Sequence, residues 1–278
     1  MNTTRALHDL GQSLWLDNIT REMLNQGTLR DYINEFSITG LTSNPTIFDQ
    51  AIGASAAYDA GIRDKWHRGK SAEQVFIELA LEDLGRAADL LRPVFEASKQ
   101  LDGWVSMEIS PLLSADVEGS VDAAKRIHEQ AGRPNLFVKI PGTAAGLKAM
   151  EACIFEGIPI NVTLLFSREH YLAAAEAYMR GIERRLEIGL HPGVVSVASL
   201  FVSRWDTAVH DIIPESLRNH LGITIAQRSY HAYRQLLAST RWQHLAKAGA
   251  RPQRLLWAST GSKDPQSSDT LYVEALAA

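Results

Sequence analysis

The chain has 278 residues, 45% of them hydrophobic and 22% charged, with a formal charge of −4. That length and balance suit a globular protein able to bury a substantial core, as one large α/β domain or two small ones. The slight acidic excess offers no broad basic field for nucleic acid, a lone Cys153 excludes an intramolecular disulfide framework, and no apolar run approaches the ~20 residues of a membrane span.

The first ten residues contain no apolar stretch of secretory type, so a cytoplasmic location is the expectation. Cys153 reads as a small buried hydrophobe. Short apolar runs then alternate with longer amphipathic segments. The runs cover residues 13–19, 37–43, 103–110, 135–140, 157–166, 194–202 and 254–259. Several are apolar on both faces, as parallel strands covered by helices are. Between them, Ser71-Ala-Glu-Gln74 is a capping-box pattern ahead of Val75, Leu79 and Leu84, and Ser167 can cap a helix through Leu172 and Met179.

Strand-then-helix alternation over the whole chain predicts an α/β fold, either an open doubly wound sheet or a barrel. The Gly-x-Gly-x-x-Gly turn of an open dinucleotide fold is absent, whereas polar residues recur near the carboxyl end of every run. That distribution favours a single (β/α)8-type barrel domain over residues 1–278, with its chemistry at the mouth.

Asp17 ends the first run and Glu108 lies in the third, a candidate acid–base pair; the alternatives are a helix cap for Asp17 and a salt bridge for Glu108. Thr42-Ser-Asn-Pro-Thr46 follows the second run, with Pro45 suited to open a helix and Asn44 either a site amide or part of the turn. Lys139, within Leu136-Phe-Val-Lys-Ile-Pro141, is the sharpest clue. Burial disfavours the ammonium form of a lysine and yields an amine able to attack a ketone. A lysine snorkelling to water is the competing explanation. Asn161 and Thr163 share one face of the fifth run. Ser199-Leu-Phe-Val-Ser-Arg204 and Ala258-Ser-Thr-Gly-Ser-Lys263 follow the last two runs, offering hydroxyls and one cation each to a phosphate. The nine histidines fall into no metal-binding spacing.

Taken together, these segments resemble the transaldolases over essentially the whole chain. Gly40-Leu-Thr-Ser-Asn-Pro-Thr46 is similar to one diagnostic motif of that family and Leu136-Phe-Val-Lys-Ile-Pro141 to its active-lysine motif. The Trp257-Ala-Ser-Thr-Gly-Ser-Lys263 loop resembles the longer bacterial and plant branch. The resemblance implies a class I aldolase barrel in which Lys139 forms a Schiff base with a donor ketose. It implies Asp17 as the base for C–C cleavage, and Glu108 acting through a water held by Thr163. Asn44 and Asn161 would hold the dihydroxyacetone hydroxyls, Ser199 the bound intermediate, and Arg204, Ser259 and Lys263 the phosphate. The implied reaction passes a dihydroxyacetone unit from sedoheptulose 7-phosphate to glyceraldehyde 3-phosphate without a cofactor. A fructose 6-phosphate lyase of the same fold and a non-catalytic relic are the rival expectations. Family members continue beyond the segment ending at Ala278 with an eighth strand and closing helices. The expectation is therefore an incomplete barrel that self-associates through its open edge.

Overall fold

The computed structural model describes residues 3–277; Met1, Asn2 and Ala278, the outermost residues of the terminal segments considered above, lie outside them. Seven strands form, one from each apolar run: β1 Leu14–Leu16, β2 Ile38–Thr42, β3 Trp104–Glu108, β4 Leu136–Pro141, β5 Ile160–Leu165, β6 Ser196–Phe201 and β7 Arg254–Ala258. They follow chain order in a seven-stranded sheet, with one or more helices after each, the alternation of an incomplete (β/α)8 fold. No eighth strand occurs among the described residues.

The residues group into two compact units, the first made of residues 1–110 and 123–138, the second of 111–122 and 139–278. In the first, β2 pairs in parallel with both β1 and β3. Trp15 of β1 lies across Gly40 of β2, where a Cβ would sit 2.4 Å from the indole, so only glycine fits. Phe137 stacks on Trp104 at 4.0 Å and on Trp15 at 6.2 Å, joining strands through aromatic contact. The helix Ala72–Ala97 carries the expected capping box, with Ser71 accepting from the Gln74 N–H and Gln74 from the Ser71 N–H. Its buried face includes Leu79, Leu84, Ala88 and Leu91.

In the second unit, β6 pairs in parallel with β5 and β7. β6 is buried along nearly its whole length, whereas every residue of β7 is only half-buried. The helices Ala144–Glu156 and Arg168–Glu187 begin at Thr143 and Ser167, whose side chains accept from Gly146 N and His170 N. Cys153, Tyr171, Tyr178 and Met179 are core residues of this unit. The segment after β7 forms a short helix, Leu271–Leu276.

Candidate active site

In the first unit, Asp17 follows β1 directly and is exposed. It does not cap the next helix: Thr20 does, accepting from Met23 N. Asn44 is the N-cap of the helix Pro45–Ala54, its Oδ1 accepting from Ile47 N at 3.0 Å, with Pro45 at the first turn. The turn explanation of Asn44 therefore holds for its oxygen. Glu108 ends β3. The β2 and β3 ends are tied together where Ser43 donates to the carbonyl of Ser106 at 2.8 Å. Next to Ser43 in the chain, the Thr42 hydroxyl is buried and has no hydrogen-bond partner among the described residues.

Lys139 belongs to the second unit and is 7% exposed, on a strand buried at every residue. Leu136, Phe137, Val138 and Ile140 around it are fully buried because β4 is apolar on both faces. β5 supplies Asn161 and Thr163, both buried, and β6 supplies Ser199. Ser199 donates to Asn161 Oδ1 at 2.7 Å, so two of the expected site residues meet directly. Thr163 is 1% exposed, and its hydroxyl has no hydrogen-bond partner among the described residues. Buried hydroxyls are satisfied in most folded proteins, and an exception asks for an explanation.

The phosphate candidates are spread more loosely. Ser259, just past β7, sits with φ of 54°, and its hydroxyl lies 2.9 Å from that of Ser203. Ser203 N also donates to Ser259 O at 2.9 Å, fixing the start of the helix Ser203–Val209 against the β7 end. Arg204, on the same helix, is exposed. Lys263 is exposed too and lines a cavity of about 210 Å³ with Asp206, Asp211, Asp264 and His210. The carboxylate of Asp206 is taken up by Leu221 N, Gly222 N and the Tyr272 hydroxyl at 2.8 Å. Burial, with Asp206 beside it, raises the Tyr272 phenol above its ordinary value. Among the described residues no group of three or more His, Cys, Asp or Glu side chains has the arrangement to hold a metal ion.

Thr42 in the first unit, and Ser203 and Leu164 in the second, adjoin these candidates in the chain without an individual sequence signal. Thr42 and Ser203 lie inside the hydroxyl-bearing segments already noted, so their signal was the segment itself. Leu164, with φ of 59°, carried none.

The chemistry thus assembled is a buried lysine on one strand and buried hydroxyl and amide groups on the next two. The chain matches, over residues 14–278, the family described as transaldolase/fructose-6-phosphate aldolase. It is 42% identical to "Transaldolase 2" of Nostoc punctiforme and 44% identical to "Transaldolase" of Thermobifida fusca, each over 99% of this chain and 77% of the relative. A "Transaldolase" of Saccharopolyspora erythraea is 42% identical over 98% of this chain and 76% of its own length. The chain therefore belongs to the transaldolase/fructose-6-phosphate aldolase family, and it is an enzyme of the transferase type.

Proposed function

We propose that the chain transfers a dihydroxyacetone unit from sedoheptulose 7-phosphate to glyceraldehyde 3-phosphate, releasing erythrose 4-phosphate and forming fructose 6-phosphate. The observation that carries this reading is Lys139, a lysine buried on a strand buried at every residue. A lysine so placed is a candidate nucleophile toward a ketone. Its Nζ attacks the ketose carbonyl, and the carbinolamine loses water to give an iminium. Asp17 takes the proton from the hydroxyl on the carbon beyond, the C–C bond breaks, and the aldose phosphate leaves. The three-carbon unit stays on the lysine as an enamine, which adds to the acceptor aldehyde through the same steps reversed.

The remaining roles are those that the family resemblance implies. Glu108 exchanges protons at the carbinolamine through a water on the Thr163 hydroxyl, an acceptor-donor otherwise without a partner. Asn44 and Asn161 hold the hydroxyls of the three-carbon unit, and the Ser199–Asn161 hydrogen bond orients that amide. Arg204, Ser259 and Lys263 hold the phosphate. The lysine iminium serves as the electron sink, so no cofactor is called for. The protein acts in the cytoplasm; no helix among the described residues is long and apolar enough to cross a membrane. A second copy pairing beside the half-exposed β7 is the macromolecular partner we propose.

The test is reduction with borohydride in the presence of fructose 6-phosphate, followed by peptide mapping. A three-carbon or hexose phosphate adduct on Lys139 alone is expected. An adduct on Lys148 or Lys263 with Lys139 unmodified would refute the mechanism. Release of free dihydroxyacetone at the same rate with and without an aldose phosphate acceptor would turn the assignment to the lyase of this family.

A further inference from the structure

The pairing of β5 with β6 is interrupted at one place. Val162 is in register with Ala198 and Leu165 with Leu200, so Thr163 and Leu164 together face the single residue Ser199. This is a β-bulge, and Leu164 takes the extra place with φ of 59°. In that left-handed region an L side chain crowds its own backbone, and leucine has no polar group with which to compensate locally. Leu164 is 42% exposed, between Thr163 at 1% and Leu165 at 0%.

A conformation of this kind persists only where the surrounding structure over-determines it. The constraint is visible on Thr163. Its carbonyl oxygen accepts the N–H of Gly142 at 2.7 Å. Gly142 follows directly on β4, the strand of Lys139, and has no room for a side chain: a Cβ would lie 2.4 Å from Leu165 Cδ2 and 3.2 Å from the Thr163 oxygen. The turn after β4 and the bulge of β5 are therefore locked together through their backbones. The side chain fixed by this lock is the partnerless hydroxyl of Thr163.

We propose that Leu164 is a positioning residue, whose left-handed bulge holds the Thr163 hydroxyl in register with the end of the Lys139 strand, and that it acts through its backbone conformation rather than its side chain. This rests on the role given to Thr163 under the proposed function. Bulges beside active sites commonly re-aim a neighbouring side chain in this manner.

Two groups of substitutions separate backbone from side chain. Glycine and asparagine enter the left-handed region readily but lose the leucine side chain; isoleucine and valine keep an apolar side chain but resist that region. Leu164→Gly and Leu164→Asn are expected to keep kcat within about threefold, while Leu164→Ile and Leu164→Val lower it by about tenfold or more with KM and the borohydride-trapped fraction on Lys139 little changed. In a Thr163→Val background the same four substitutions are expected to differ by less than about twofold, because the group they position is gone. The proposal is overturned if kcat instead follows side-chain bulk, with Ile and Val at the parent's level and Gly and Asn impaired. It is equally overturned if Leu164→Ile costs as much in the Thr163→Val background as in the parent. If Thr163→Val alone turns over normally, the role of Thr163 has failed and the positioning proposal falls with it. If Thr163→Val is impaired and Leu164→Ile is not, only the positioning proposal falls. Urea unfolding of each variant identifies those that fold, and the Gly and Asn variants decide between the two orders even where Ile or Val does not.

Discussion

Each unit buries a polar cluster, and the two clusters are built on opposite terms. In the first unit, Asp83 is fully buried and accepts from Arg21 Nε at 2.8 Å and from the Tyr58 hydroxyl at 2.8 Å. Arg21 also donates to Glu82 and stacks its guanidinium 4.5 Å above the Tyr58 ring. Burial raises the Asp83 carboxyl above its ordinary value even though Tyr58 and Arg21 both pull it down, and burial together with Asp83 pushes the Tyr58 phenol up to about 12. None of the three residues has a buried side-chain atom without a hydrogen-bond partner. In the second unit, Asn161 and Ser199 satisfy one another, but Thr163 next to them leaves a buried hydroxyl unmatched, beside a leucine in the left-handed region. A satisfied network specifies and stabilises a fold, whereas an unsatisfied one costs stability and is retained for a ligand or a reaction.

If that contrast is right, the two clusters respond oppositely to substitution. The largest effect belongs to the first. Asp83→Ala leaves a buried guanidinium and phenol without their acceptor and should cost about 3–5 kcal/mol in urea unfolding. The turnover of the molecules that remain folded should stay near the parent's. Loss of turnover in folded Asp83→Ala would show that this cluster belongs to the chemistry after all.

A smaller effect, outside both clusters, is read through pH. Burial holds the His128 imidazole below its ordinary value of 6.5, with Glu129 only partly opposing it. The unfolded chain therefore takes up its proton first as pH falls through that value, so the stability from this residue is present above it and lost below it. His128→Gln should flatten the fall in unfolding free energy between pH values of about 7.5 and 5.5. An unchanged slope in the variant would assign the pH dependence to other groups.

Much of this was open to a reading of residues, and what was missed shares a cause. All seven apolar runs became strands, because a segment apolar on both faces has few other places to go. Ser71, Ser167 and the Asn44-Pro45 pair cap helices as their types and spacing imply. The first run shrank, however: β1 is only Leu14–Leu16, and Ile19 is buried outside any strand. Asp17 has the side chain of a cap, but Thr20, three residues further on, takes that role. The Arg21–Tyr58–Asp83 cluster joins residues far apart in the chain, with no local pattern to announce them. The bulge at Leu164 was the least legible feature. Leucine has no preference for the left-handed region, so tertiary packing imposes this conformation against propensity, and single-residue patterns do not record that.

The smallest expected free-energy change is the most direct test of the contrast between the clusters. It is the urea unfolding of Thr163→Val, measured beside its turnover. Valine keeps the shape of threonine and removes a buried hydroxyl with no hydrogen-bond partner among the described residues, so the unfolding free energy should stay within about 1 kcal/mol of the parent's while transfer activity falls. A variant that is destabilised by about 1 kcal/mol or more, as when an ordinary buried hydrogen bond is lost, would contradict the account and return Thr163 to the structural frame.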